Sequence, residues 1–541
     1  MSRVVFIGDF FLEHIVGGGE LNDDELINIF ISKGYDIEKI QSHLVSKEYL
    51  EKHKDCFFMI GNFVNLSHEC REFLRDCRYI IYEHDHKYLR TRNPAEYKNF
   101  KAPEKDVLNF YFYKNAKAIL CQSTFHKNII ESNLEIDNII NLGGNIWSLD
   151  ALEYMRGISK KDKSEKYSIM DSNISHKNTF GALKYAEKSG LEYELISDPD
   201  YRSFLSKLGQ NKKFIFLPKT PETLSRVVVE ARMMGCSVTT NGLVGAASEE
   251  WFNLKGEQLI DFMIEKRDEI ASIVEEIIDS SYSIEKRPLI SIITTFHEGE
   301  KYLEHFMENI TSQTIFDKCE LVLIDAGSPG REEEIIQKYL KSHDNIIYKR
   351  LSERVPITPC HNMAAKVASG KYLTFAFIDD RKKADCLEVL HSAILEEDVQ
   401  LVYGDVLQTD EENESYEDNS SDGALFEHST FPFSPENMVK SLPGPMPLWK
   451  NTLHDIAGFF DSESCNFADD WEMWLRAVDS GCKFKKVSEV VGLYKAGGRS
   501  QQDNNLDQRK EEARMFFKYS HLFGQNYQIY KPYFEQFIGA Q

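Results

Sequence analysis

A chain of 541 residues is longer than one hydrophobic core serves, so about two to four domains are expected. Hydrophobic residues make up 42% and charged residues 28%, the balance of a globular protein. A net charge of −23, from 64 basic and 87 acidic residues, works against a general polyanion binder.

No apolar run approaches the roughly 18 residues of a membrane span. The opening MSRVVFIGDFF goes straight into a strand pattern, unlike a signal peptide. The 10 cysteines are scattered with no CxxC pair. They suit a reducing cytoplasm, where the protein is expected, and point to neither a disulfide framework nor a zinc site.

Val4–Gly8 reads as a strand, followed by a Gly17-Gly18-Gly19-Glu20 loop and a helix from about Asp23 to Gly34. Strand, glycine loop and helix let backbone N–H groups approach a phosphate or sugar, although a plain glycine turn gives the same string. Strands at Cys56–Ile60, Tyr79–Tyr82, Ala118–Gln122 and Ile139–Leu142 alternate with helical patterns, giving an α/β lobe over about 1–155. Glu83-His84-Asp85-His86 stands at one strand end, where His84 suits a sugar hydroxyl better than a metal. A lysine-rich linker, Ser159–Lys166, leads to a second α/β series over 156–280, with strands at Tyr167–Met170, Tyr193–Ile196, Phe214–Leu217 and Ser237–Thr240. Lys177, after the first of these, is placed to meet a phosphate or is simply solvated. Leu224–Met234 reads as a helix closed by Gly235, with Glu222 before it. Glu230 sits among apolar neighbours, where a buried carboxylate needs donors such as a ribose diol, or else a salt bridge. Leu259–Ile278 is a long amphipathic helix, and Ser280–Pro288 a polar linker.

Residues 1–280 resemble a GT-B glycosyltransferase of the family 4 type, on the GGGE loop, His84, the strand ending in Ser123, Lys177 and the Glu222/Glu230 pair before MxxG. The resemblance implies two Rossmann-like lobes, with Gly18, Gly19, His84, Lys177 and Glu230 on the nucleotide sugar. It puts Glu222 against the donor sugar as a catalytic residue, Glu230 on the ribose and Lys177 on the diphosphate. The final helix would cross back to the first lobe. The usual Gly-Arg before the lysine is replaced by DSNISHK. The module is therefore either a second transferase or a non-catalytic binding and docking domain.

The βα pattern restarts at Leu289. LISIITTF is a strand with a Thr295–Glu298 loop, and ELVLID a strand ending at Asp325. Asn345–Leu351 is a third strand, and Pro359-Cys360-His361-Asn362 opens a helix. Tyr372–Ile378 reads as a buried strand that ends on Asp379 and Asp380. Adjacent carboxylates there suit a hard divalent cation holding a diphosphate, or simply a strand turning into solvent. Thr295, Glu298, Asp325, Asn362 and Asp379 thus gather at successive strand ends, the crevice of an open α/β sheet. Val399–Tyr403 is another strand, Asp410–Asp422 an acidic surface loop, and the helix near Asp469 opens on carboxylates favoured by its dipole.

From Pro288 to Gly498 the sequence closely resembles the GT-A fold of family 2 glycosyltransferases, which puts this domain at 288–510 and a helical tail at 511–541. Thr294-Thr295-Phe296-His297 stands for its opening loop, Asp325-Ala326-Gly327-Ser328 for its acidic turn, and Phe377-Ile378-Asp379 for its Asp-x-Asp, with the first Asp missing. The resemblance puts Asp325 on a uracil ring and Thr295, Glu298, Asn362 and Asp380 around the nucleotide sugar. Asp379 would hold Mg²⁺ or Mn²⁺. Asp469-Asp470-Trp471 matches the family's Glu-Asp-Trp, making Asp470 the general base, with a helix cap as the alternative. Lys495 and Arg499 replace a late histidine ligand and would meet the diphosphate. The expected reaction is inverting transfer of a sugar from a UDP-sugar to a saccharide or lipid-linked saccharide. A modified base in DNA is a disfavoured acceptor, given the charge. The tail is expected to pack on a domain or to form a homo-oligomer contact.

Overall fold

The computed structural model describes residues 3–280, 286–396, 398–497 and 506–538. Arg499 and most of the expected linker lie outside them. The chain divides into two compact units, residues 1–102 with 109–284, and residues 103–108 with 285–541.

The first unit holds two parallel sheets. Strands β1 (Arg3–Gly8), β2 (Asp36–Gln41), β3 (Phe57–Ile60), β4 (Arg78–Tyr82), β5 (Ile119–Cys121) and β6 (Ile139–Asn141) lie in the order β2-β1-β3-β4-β5-β6. Strands β7 (Ser164–Met170), β8 (Tyr193–Ile196), β9 (Asn211–Phe216) and β10 (Ser237–Thr240) lie in the order β10-β9-β7-β8. Parallel strands are covered by helices on both faces, so β1 and β3 are buried runs without alternation. Polar β2, DIEKIQ, carries no such run and is recognisable only from its pairing with β1. The expected lysine-rich linker is shorter than the sequence suggests, because a helix runs to Ser159 and β7 already begins at Ser164. Helix Glu257–Asp279 joins the two cores. Its Leu259, Ile260 and Met263 pack with the second sheet, and its Ile270, Ala271, Val274 and Ile278 with the first.

The second unit is built on one eight-stranded sheet. Its strands are β11 (Ile290–Phe296), β12 (Cys319–Asp325), β13 (Ile346–Arg350), β14 (Tyr372–Phe375), β15 (Arg381–Lys382), β16 (Val399–Thr409), β17 (Leu448–Lys450) and β18 (Lys483–Lys495). They lie in the order β13-β12-β11-β14-β17-β16-β18-β15. The first four are parallel, β17 is antiparallel to both β14 and β16, and β15 is antiparallel to β18. The strand expected to end on the acid pair stops at Phe375: its pairing with β11 ends at Ile293 and Phe375, and its pairing with β17 at Leu448 and Thr374. The chain then leaves the sheet centre, turns at Ile378–Asp379, and re-enters as β15 beside β18. Asp379 and Asp380 therefore occupy a crossing turn.

The described tail belongs to this unit. Helices Leu506–Lys518 and Asn526–Ile538 stack Phe516 on Phe523, Tyr527 and Phe534. Buried Glu472, in helix Asp469–Asp479, receives Arg476 at 2.8 Å, the Tyr519 hydroxyl at 2.8 Å and Lys518 at 3.1 Å. Burial alone would push this carboxyl up, but Arg476, then Lys518 and Tyr519, hold its pKa down at about 2. A depressed carboxylate stabilises the fold above its ordinary pKa and loses that contribution as pH falls through the folded value. Glu472→Gln is therefore expected to lower the thermal midpoint at pH 7 and to flatten its fall between about pH 4.5 and pH 2. An unchanged acid slope in scanning calorimetry would contradict this.

Candidate active site

In the second unit, parallel pairing aligns Phe296 with Asp325 and Ile293 with Phe375, so the loops after β11, β12 and β14 leave one end of the sheet. Asp325 is fully buried, and each of its carboxylate oxygens has a donor. Oδ1 accepts the Ser328 N–H at 2.7 Å, Oδ2 accepts the Tyr348 hydroxyl at 3.0 Å, and Arg350 stands 3.6 Å away. Ser328 in turn accepts the Glu298 N–H at 2.9 Å, which ties the first two loops together. Gly327 is required there: its φ is +78°, and a Cβ would lie 2.5 Å from the Glu353 backbone. Glu298 itself is exposed, with φ 58°. Thr295 is buried, and its hydroxyl has no partner among the described residues.

Asn362 clamps the backbone of Phe460, donating to its carbonyl and accepting its N–H, both at 2.9 Å. The neighbouring His361 reaches the acidic helix: its Nδ1 lies 2.9 Å from Asp469 Oδ2. Its ring packs against Phe375, Phe460 and Phe377 at 4.8, 5.6 and 6.3 Å. Phe377 is two residues before Asp379, so one imidazole connects the crossing turn with the start of helix Asp469–Asp479.

Three acids of this site, Asp379, Asp380 and Asp470, are poor in donors. Asp379 is half-buried, and burial holds its pKa above the ordinary value despite Arg381 and Lys495 nearby. Asp380 is buried; Oδ1 accepts the Lys495 N–H at 3.0 Å while Oδ2 has no partner among the described residues. Burial, and then the charge of Asp379, push Asp380 well up. Asp470 is half-buried beside the Ser441 hydroxyl at 3.4 Å. Burial, reinforced by the charge of Asp469, raises its pKa to about 6. The Lys495 ammonium donates to the Ala496 carbonyl at 2.7 Å.

The first unit also gathers several of its candidates. The three glycines are not a free loop: Gly18 and Gly19 open helix Gly18–Ser32, five residues before the expected start. The packing there is close, since a Cβ on Gly18 would lie 3.2 Å from the Arg226 side chain and one on Gly19 3.4 Å from His84. His84 Nε2 lies 2.7 Å from Asp23 and its Nδ1 2.7 Å from Gln122. Burial opposes its charge, but Asp23 prevails and raises its pKa. Thr223 donates to the His84 carbonyl at 3.2 Å. Lys177 meets Glu222 at 2.9 Å. Glu230 accepts from Trp147 at 3.0 Å and from Tyr201 at 2.6 Å, with Arg226 at 3.6 Å. The expected helix begins only at Arg226, because Ser225 adopts φ 74°.

Residues 291–460 match the model described as glycosyl transferase family 2. The second unit carries a family 2 glycosyltransferase domain. The chain is a transferase enzyme of the glycosyltransferase kind. An uncharacterized glycosyltransferase of Methanocaldococcus jannaschii is 27% identical over 237 residues, covering 42% of this chain and 76% of that protein. The putative teichuronic acid biosynthesis glycosyltransferase TuaG of Bacillus subtilis is 29% identical over 102 residues, which cover 19% of this chain and 40% of the relative. Among solved structures, S. aureus TarS 1-349 in complex with UDP aligns at 15% identity and a TM-score of 0.37, over 46% of this chain and 74% of that one. Among the described residues no helix is long and apolar enough to cross a membrane.

Sequence reasoning singled out Asn362 but not the roles of His361, Tyr348, Ser328 or Ser441. His361 stood next to Asn362, and a histidine on a helix otherwise facing the sheet was the available signal. The others act through contacts that only the fold creates. Asn362→Leu should destabilise the second unit by about 2–4 kcal/mol, because it strands the Phe460 N–H and carbonyl without partners. Chemical denaturation checks this, and an unchanged midpoint would count against the clamp.

Proposed function

We propose that the second unit moves a sugar from a nucleotide sugar, a UDP-sugar, to a hydroxyl of a saccharide or lipid-linked saccharide with inversion. The observation that carries this reading is Asp470: a half-buried carboxylate whose pKa is raised to about 6, ten residues beyond the 291–460 segment that matches glycosyl transferase family 2. A base works best when its pKa lies near the operating pH, and Asp470 is ionised at neutral pH yet takes up a proton more readily than an exposed aspartate. It accepts the acceptor hydroxyl proton as that oxygen attacks the anomeric carbon from the face opposite the diphosphate. Asp469, oriented by His361, keeps a second negative charge beside Asp470 and so sustains its basicity. Asp325, fixed by Ser328 and Tyr348, forms the floor for the base of the nucleotide, and Thr295, Glu298 and Asn362 line its edge. The saccharide acceptor is in keeping with the teichuronic acid relative.

Asp379 fits a divalent cation. It is a half-buried carboxylate beside the unpartnered Oδ2 of Asp380, and both have raised proton affinity. No group of three or more His, Cys, Asp or Glu side chains suited to a metal occurs among the described residues. Magnesium-type sites with one or two carboxylates complete their shell from substrate phosphates and water. Mg²⁺ or Mn²⁺ held by Asp379 would neutralise charge on the leaving diphosphate.

The first unit fits a binding module for a nucleotide sugar or saccharide. Its candidate carboxylates are already answered within the protein, Glu222 by Lys177 and Glu230 by Trp147, Tyr201 and Arg226. This favours docking over a second transfer by Glu222 and Glu230.

Asp470→Asn is expected to reduce sugar transfer by about 10²–10⁴-fold while leaving donor affinity within about twofold. In the wild type, kcat should fall as pH drops through about 6, as the base becomes protonated. Transfer by Asp470→Asn at near wild-type rate, in an assay of radiolabelled sugar incorporation, would remove Asp470 from this role.

A further inference from the structure

The helix that bears Asp470 has no cap of its own. Ala468 stands at its N-cap position and supplies no side-chain acceptor. The three N–H groups just before the helix, those of Asn466, Phe467 and Ala468, point instead at one carboxylate from the C-terminal helix Leu506–Lys518. Glu511 Oε2 accepts from Asn466 at 2.9 Å, and Oε1 accepts from Phe467 at 3.0 Å and Ala468 at 2.8 Å. Glu511 is buried, so these bonds form out of water, where charge-assisted bonds are strong and loss of the acceptor is costly. The end of the same helix and the residue after it hold the first turn of the Asp470 helix, since Lys518 and Tyr519 both reach Glu472. The C-terminal helix therefore grips both the approach and the first turn of the segment that carries the base. It lies beyond residues 291–460, the part that matches the family model.

We propose that Glu511 is a positioning residue for the transfer reaction: it fixes the 466–468 backbone so that Asp470 stays in its half-buried setting. The inference rests on the reading of Asp470 as the base. In Glu511→Gln one acceptor oxygen becomes an NH₂ donor that faces an amide N–H, the remaining bonds lose their charge assistance, the first turn loosens, and Asp470 gains solvent. Its pKa then moves down toward the ordinary aspartate value, and its geometry toward the acceptor is lost. Donor contacts at Asp325 and Asp379 arise from other loops and stay as they are.

The test compares the full-length wild type with Glu511→Gln and Glu511→Asp, measuring kcat, donor KM and the pH profile of kcat; circular dichroism confirms folding. Glu511→Gln is expected to lower kcat about tenfold with donor KM unchanged, and to shift the acid limb of the profile below that of the wild type. Glu511→Asp keeps the charge and is expected to recover part of kcat. A folded Glu511→Gln with wild-type kcat and acid limb overturns the proposal. So does a loss of kcat with no shift of the limb, which reports only fewer active molecules. Asp470→Asn, assayed alongside, separates the two claims. If it stays active, the base assignment fails; if it is inactive while Glu511→Gln behaves as wild type, only the positioning role fails.

Discussion

A carboxylate removed from water must find donors or keep a proton. The second unit is arranged around that constraint. Asp325 is answered by Ser328 and Tyr348, Glu472 by Arg476, Lys518 and Tyr519, and Glu511 by three backbone amides. These acids hold the loops and helices in place. Asp379, Asp380 and Asp470 are left short of donors, and all three have raised proton affinity. Acids with satisfied partners hold the scaffold, Asp325 among them at the proposed base site, and under the proposed function the unsatisfied ones meet a cation or take up a proton. The division follows from local contacts, although all six lie in one polypeptide rich in acidic residues.

The first unit follows the same constraint with a different outcome. Its two parallel sheets share helix Glu257–Asp279, and its candidate acids are neutralised by internal cations and hydroxyls. Glu83 and Lys87 extend the pattern as a fully buried pair at 2.7 Å, with Asp85 bonded to the same ammonium at 2.8 Å. The HxH string lies within this network. His86 bonds Tyr88 at 2.8 Å and burial lowers its pKa to about 4. Such a network leaves little unpaired charge to drive chemistry, in keeping with the binding role proposed for this unit.

Much of the fold was legible because buried parallel strands are short runs rich in apolar and β-branched residues, as in LISIITTF and ELVLID. The helix over Leu259–Ile278 was visible from its period and differs from Glu257–Asp279 only at the ends. What escaped has physical reasons. Strand β2 is polar at an edge, and β15 has two residues. The run through Phe377 and Ile378 is apolar, but its hydrophobicity serves packing around a turn and not a ladder. At the site, acidic residues could be named from the sequence because they interrupt apolar patterns. Their partners could not, because His361 and Asp469 are 108 positions apart and Glu511 is 43 from Ala468. Nor could sequence tell that the amide of Asn362 is already engaged with Phe460.

The account stands on Asp325, Asp379 and Asp470 serving a single donor. The most direct measurement is a crystal structure of the full chain soaked with UDP and Mn²⁺. It should show the uracil beside Asp325, the ion between Asp379 and the diphosphate, and Asp470 facing the open side where an acceptor enters. Clear density for UDP elsewhere, with these three acids unaltered, would contradict it.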